Sequence, residues 1–300
     1  KVLLIISTLG SFYLLFRVSR ELFGSKGSIF HALGPLLLST NSSFVVWSVS
    51  GLENGFYVFL ILLASYLYIR EINDPTLIPF SGLVFFLVAI TRPEGMIYFG
   101  TAFGHKILTK LVEGRVDKKD LLWVGFFVLP FLTYHIWHYM YFAYIFPNTY
   151  YAKGASGSIA DKLSNRVFDL NSAGWQYVKA AFKDYNLKYI LIASSTALTV
   201  TFRSCFKYVG LIFLILSASL FYPIYVSGDW MMQYRLLSPF FPFAYLLIAG
   251  GLIATKKVFA SLFSGLPLVW KPTYWVEGLI TLVIVGLLVY PNLAFSGSAK

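Results

Sequence analysis

Cysteine is all but absent from this chain. Its single occurrence, Cys205, excludes an intrachain disulfide and a thiolate metal cluster. Charge is scarce as well. Asp, Glu, Lys and Arg make up 12% of the residues, about half the share of a soluble domain. Acids are the rarer sign, 13 against 24 Lys and Arg, and no adjacent acidic pair occurs before Glu53. No internal repeat is evident. No hydrophilic stretch is long enough for a separate globular domain; the longest covers 158–188.

What is present is apolar. Hydrophobic residues reach 58% and the mean hydropathy is +0.71, so water cannot be the solvent for most of the surface. The net charge of +11 does not indicate nucleic acid. The basic residues gather in short loops between apolar runs, the pattern of positive-inside topology and of anionic lipid headgroups.

The apolar runs are 1–16, 29–49, 56–69, 77–90, 96–108, 121–145, 189–202, 208–226, 236–253, 258–270 and 274–290. Crossing a bilayer as a helix takes roughly 20 residues. The runs predict an all-α integral membrane protein, a polytopic bundle of about eleven membrane segments forming one transmembrane domain over 1–300. Loops 17–28, 70–76, 105–120, 203–207 and 254–257 carry basic charge and read as cytoplasmic. Alternation then puts 50–55, 91–95, 146–187, 227–235 and 271–273 on the other face. The 146–187 loop reads as extracytoplasmic, with one or two amphipathic surface helices. The polar string Ser39-Thr40-Asn41-Ser42-Ser43 is costly against lipid and is expected to face protein or a cavity. Lys1 opens directly into an apolar run, so the sequence is expected to be a piece of a longer protein.

Four motifs collect on the outer face. They are Ser50-Gly51-Leu52-Glu53-Asn54, Thr91-Arg92-Pro93-Glu94-Gly95, Pro147-Asn148-Thr149-Tyr150-Tyr151-Ala152-Lys153, and Gly228-Asp229-Trp230-Met231 with Tyr234-Arg235. They supply Glu53, Glu94 and Asp229 as acids and Arg92, Lys153 and Arg235 as cations. Arginine suits phosphate because its fork donates to two oxygens, and lysine adds a point charge. Acids serve sugar hydroxyls, a metal or a general base. Each has a plainer alternative. Arg92 and Glu94 can pair across the turn at Pro93. Glu53 can cap the following helix. Lys153 can meet any anionic headgroup. Asp229 and Arg235 can pair with each other. Trp230 and Tyr234 can be interfacial anchors. His135 and His138 lie one helical turn apart, but two histidines make an incomplete metal set, and packing is the favoured reading.

On these four motifs, over residues 30–240, the sequence resembles bacterial integral-membrane glycosyltransferases of the GT-C superfamily. More narrowly it is similar to mycobacterial terminal arabinofuranosyltransferase-like enzymes. The resemblance implies a GT-C-like fold in the cell inner (plasma) membrane. It implies transfer of a sugar from a polyprenyl-phosphate donor to a glycan, lipid or protein acceptor outside the cytoplasm, with inversion. Glu53 and Asp229 are then assisting catalytic acids. Asn54, Arg92, Glu94, Asn148, Tyr151, Lys153, Trp230, Tyr234 and Arg235 are then substrate-binding. Such enzymes carry their catalytic acid in the first outer loop. This chain has no counterpart, so the general base is expected before Lys1. A divalent cation, Mg or Mn, is admitted without being required.

Two other classes compete. A transporter or flippase for a lipid-linked or anionic substrate predicts repeats and broken helices meeting near the bilayer midplane. The unusual charges here cluster at one surface instead. A non-catalytic membrane assembly subunit would use the aromatic 134–151 stretch and the 158–188 segment as partner surfaces.

Overall fold

A computed structural model of the chain describes residues 1–24, 29–114, 116–144, 159–201 and 206–262, together with 283, 286 and 287. All regular structure among these residues is helical. α1 (Val2–Phe23) ends at Gly24, whose φ of 55° is the left-handed C-cap geometry that a residue without a Cβ adopts most easily. The expected loop at 17–28 is therefore shorter than its charges suggest. Arg17 and Arg20 lie within α1 and rest their guanidinium groups over the rings of Tyr13, Tyr66 and Phe16.

The 29–49 run is two helices, α2 (Phe30–Thr40) and α3 (Ser42–Val49), bent by 62°. Asn41 makes the break. Its Oδ1 accepts the Phe44 N–H at 2.8 Å, capping α3, and its Nδ2 donates to the Tyr245 hydroxyl at 2.9 Å. Asn41, Ser42 and Ser43 are buried in protein, as their polarity requires, while Ser39 is exposed.

α4 (Asn54–Asn73), α5 (Ser81–Thr91), α6 (Gly95–Glu113) and α7 (Lys118–Phe142) follow. α6 is a single unbroken helix. Asp117 and Asp120 form a capping box that starts α7. Ile159–Lys162 and the wider turn Leu163–Val167 lead to the amphipathic α8 (Ala173–Asp184), which falls within the 146–187 segment. α9 (Leu187–Thr201), α10 (Phe206–Tyr225) and α11 (Phe240–Leu262) complete the described helices. α11 runs straight through Lys256 and Lys257. The expected turn at 254–257 is therefore not a turn, because no glycine or proline interrupts the helix there. The rest of the 258–270 run and nearly all of 274–290 lie outside the described residues.

α1, α4, α7 and the Tyr208–Tyr225 part of α10 are long and apolar enough to cross a membrane, and the bent α2–α3 pair makes a fifth candidate. α5, α9 and α11 contain apolar stretches that are shorter. The chain is thus helical with four or five candidate spans among the described residues, fewer than the expected tally.

Contacts run from α1 to α4, α5, α6, α10, α11 and α2, and from α2 back to α1, closing a ring. α7 lies outside the ring on α5, α9 on α11, and α8 on α10. Among the described residues up to 253 each apolar run contains a helix or the bent pair, and the contacts of the described loops fall at two ends of the bundle. At one end Asn73 donates to Glu21 at 3.1 Å, Tyr208 donates to Asn73, and Lys119 donates to the carbonyls of Pro75 and Leu77. At the other end Ser42 donates to Gln233 at 2.8 Å and bonds the Tyr185 hydroxyl at 2.9 Å, while Arg92 reaches Asn54.

Candidate functional site

The site grows from two loops and one helix start. α5 ends at Thr91, Arg92 is extended, and Pro93 prevents the helix from continuing. Gly95 then begins α6. A Cβ there would stand 2.3 Å from the Val88 carbonyl oxygen, so glycine is what lets α6 start so close against the end of α5. The tight junction folds Arg92 back over the beginning of α4. Its Nε donates to Glu94 Oε1 at 2.5 Å, its Nη1 donates to Asn54 Oδ1, and Glu53 Oε1 lies 3.5 Å from the same Nη1. The guanidinium carbon sits 5.5 Å from the centre of the Tyr57 ring. Burial would lower the Arg92 pKa, but Glu94, Tyr57 and Glu53 outweigh it and hold the group above its ordinary value.

The second loop, between α10 and α11, departs from ordinary backbone geometry. Ser227, Gly228, Gln233 and Tyr234 have φ values of 66°, 82°, 61° and 49°. Three of these residues carry a Cβ, so the loop holds strain that surrounding contacts must maintain. Those contacts are visible. Gln233 accepts from Ser42, and the Tyr234 hydroxyl donates to Asp184 Oδ2 at 2.5 Å. Burial, and then that bond to a carboxylate, raise the Tyr234 pKa. Arg235 Nε donates to Asp229 Oδ2 at 2.8 Å, and its guanidinium lies 5.7 Å from the Trp47 ring centre.

The two loops meet. Asn54, Tyr57, Arg92, Glu94, Tyr98 and Arg235 line one narrow cleft, which Ser219 and Tyr222 of α10 complete. Two of its lining atoms, Asn54 Nδ2 and Tyr57 Oη, are buried without a hydrogen-bond partner, and the neighbouring Trp47 Nε1 and Ser48 Oγ are in the same condition. Buried polar groups are rarely left so, because each forfeits its hydration for about 1–3 kcal/mol. Four such atoms around two arginines make this the most under-satisfied part of the described structure.

Of the residues singled out from sequence, Asn54, Arg92, Glu94 and Arg235 come together in the cleft. Glu53 stands at its rim, paired with Arg92 and with its side chain 45% exposed. It occupies the N-cap position of α4 but accepts no capping bond through its side chain. Asp229 holds Arg235 by its Nε. Tyr234 adjoins Arg235 in the chain, yet its hydroxyl is committed to Asp184. Trp230 is not part of the cleft and is 85% exposed; the strained loop turns it outward. Asn148, Tyr151 and Lys153 lie outside the described residues. Sequence reading missed Tyr57 and Tyr98. Tyr57 follows Asn54 by three positions on one helix face, a spacing that could have found it; Tyr98 carries no local signal.

Among the described residues no group of three or more His, Cys, Asp and Glu is arranged to hold a metal. His135 Nδ1 bonds the Phe131 carbonyl at 3.0 Å and His138 Nδ1 the Tyr144 carbonyl at 2.9 Å, so packing explains both rings. No protein-family model, no curated protein and no solved structure matches this chain.

Proposed function

We propose that this chain is a GT-C-like membrane glycosyltransferase, and that the Arg92–Arg235 cleft, about 10 Å³ in volume, opens to take the phosphate of a polyprenyl-phosphate sugar on the non-cytoplasmic side of the cell membrane. The observation that carries the reading is the set of partnerless buried groups, Asn54 Nδ2 and Tyr57 Oη, in the same cleft as two guanidinium groups. Amide and guanidinium N–H are donors, and the phenol can donate as well, so the complementary ligand is rich in acceptor oxygens.

Charge alone does not explain the choice. Glu53, Glu94 and Asp229 outnumber Arg92 and Arg235, so the cleft is not a simple anion trap. The carboxylates act instead as positioning groups. Asp229 and Glu94 each engage an Nε and Asn54 takes Arg92 Nη1, which leaves Arg92 Nη2 and the Nη groups of Arg235 as donors for a ligand. Held in this way, the forks need no reorganisation when charge develops on a departing phosphate. Glu53, the exposed acid at the rim, is the carboxylate with room for an acceptor hydroxyl. A Mg or Mn ion would need the donor's own phosphate oxygens to complete its coordination, and no step is routed through one.

Donor binding and sugar transfer by Arg92→Lys and Arg235→Lys variants test the reading. Lysine keeps the charge and removes the fork. Each variant should weaken donor affinity roughly 30-fold or more, about 2 kcal/mol. Unchanged affinity and turnover in both would remove the phosphate role.

The 62° break between α2 and α3 favours a second reading, lipid-linked substrate transport, since broken helices are common in transporters. Purified protein in vesicles would decide it. Lipid-linked sugar crossing the bilayer without any transfer to acceptor would support transport over the transferase.

A further inference from the structure

A second cavity lies at the opposite end of the bundle from the arginine cleft. It measures about 500 Å³ and sits between the end of α4, the 74–79 loop, the end of α6 and the start of α7. Four lysines and four carboxylates line it, and most of them neutralise one another. Lys106 pairs with Asp120 at 3.0 Å, and Lys110 lies within 3.3 Å of Glu113, Asp117 and Asp120. Three charges are left over. Glu71 has no cation within ion-pair distance among the described residues, and its two oxygens accept only from Ser81, at 2.7 and 2.5 Å. Lys118 and Lys119 have no carboxylate partner there either; Lys119 gives two of its three ammonium donors to the Pro75 and Leu77 carbonyls. The residual pattern is one anion on the wall and two cations at an exposed mouth.

Behind the cavity wall a stack of aromatic rings, with Trp123 and Phe127 buried, packs α6 against α7. The Lys106 ammonium lies 5.0 Å from the Trp123 ring centre, and Trp123 stacks on Phe99 at 5.1 Å. Phe99 continues to Phe103 on α6 and to Phe127 on α7, and Phe127 continues to Phe131. Phe103 is exposed, as are Leu121 and Leu122 just after the lysine pair, so an apolar surface adjoins the mouth of the cavity.

We propose that this cavity binds the headgroup of a zwitterionic phospholipid bearing a primary ammonium, a phosphatidylethanolamine, with an acyl chain along the exposed apolar surface of Phe103, Leu121 and Leu122 on α6 and α7. The ammonium sits on Glu71, whose oxygens each have a further acceptor site, and the phosphate sits on Lys118 and Lys119. The exposed apolar surface at Phe103, Leu121 and Leu122 makes the ligand a lipid rather than a free headgroup. The paired inner charges make it zwitterionic, because a wholly anionic headgroup would leave Glu71 opposed to like charge.

Lipid adducts on the full chain in mild detergent, read by native mass spectrometry, test this. The protein is offered equal amounts of phosphatidylethanolamine, phosphatidylcholine and phosphatidylglycerol with the same acyl chains. The ethanolamine lipid should be retained in preference to both others. Glu71→Gln should cut its retention about tenfold, the loss of one charge-assisted contact, and leave phosphatidylglycerol retention unchanged or higher. Lys118→Gln with Lys119→Gln should lower retention of both lipids. If Glu71→Gln fails to fold because it disturbs Ser81, the exposed lysine pair decides alone. No preference among the three lipids, retention in the variants equal to the parent, or equal binding of free O-phosphoethanolamine overturns the proposal.

Discussion

Arg235 and Asp229 form a shielded ion pair, Nε to Oδ2 at 2.8 Å, with side chains only 11% and 6% exposed. The pair fastens a loop that already holds several residues at positive φ. Removing only the acid would strand a guanidinium in the cleft wall. Asp229→Ala should therefore destabilise the protein by about 3 kcal/mol. Asp229→Ala combined with Arg235→Met should recover much of that loss. Thermal unfolding of both variants in detergent measures it. Equal destabilisation in the single and double variants would show that the pair is not the fastening.

Tyr57 offers a different signature. Its hydroxyl is buried without a partner, so Tyr57→Phe relieves a desolvated polar group. The variant should be as stable as the parent or more stable by about 1 kcal/mol, while donor affinity falls roughly fivefold. Stability and affinity that fall together would mean a structural hydroxyl and no ligand contact.

Gly95 fixes where Arg92 can go. The Val88 carbonyl stands 2.3 Å from the place a Cβ would occupy, and backbone cannot move aside as a side chain can. Gly95→Ala should cost about 2–3 kcal/mol in stability and reduce donor binding as Arg92 shifts. Gly100→Ala, at an open position on the same helix, is the control; it should raise stability by about 0.5–1 kcal/mol and leave donor binding unchanged.

Tyr185 gives the site end an alkaline limit. It is buried beside Ser42, and burial pushes its phenol up to about 12. The unfolded phenol titrates near 10, so the folded state keeps its proton longer. The stabilisation is fully present below pH about 10 and is lost as pH rises through the folded value. Against Tyr185→Phe, the parent's advantage should be constant at neutral pH and shrink between pH about 10 and 12. Urea unfolding at a series of pH values reads the difference, and a constant gap would rule the linkage out.

Much of the helical frame was legible beforehand because apolar runs and short basic loops are local properties. Alternation of the runs already gathered residues 50–55, 91–95 and 227–235 at one end, and the described contacts agree. Boundaries were less legible. Arg17 and Arg20 looked like a loop by charge, yet their stems lie along α1 and only Gly24 stops the helix. Lys256 and Lys257 misled in the same way. A charge marks a membrane edge but does not break a helix, whereas a missing Cβ or a missing N–H does.

The amino-acid order alone determined that this chain is helical and apolar, and which polar motifs share an end, because periodicity and charge act between near neighbours. Folding decided what those motifs do to each other. Whether Arg92 is shared between Glu94, Glu53 and Asn54, whether Trp230 turns outward, and whether Tyr57 stays without a partner depend on atoms brought close by ring closure of distant helices. Hydrogen bonds act over about 3 Å, and linear spacing carries no information at that scale once two residues belong to different helices.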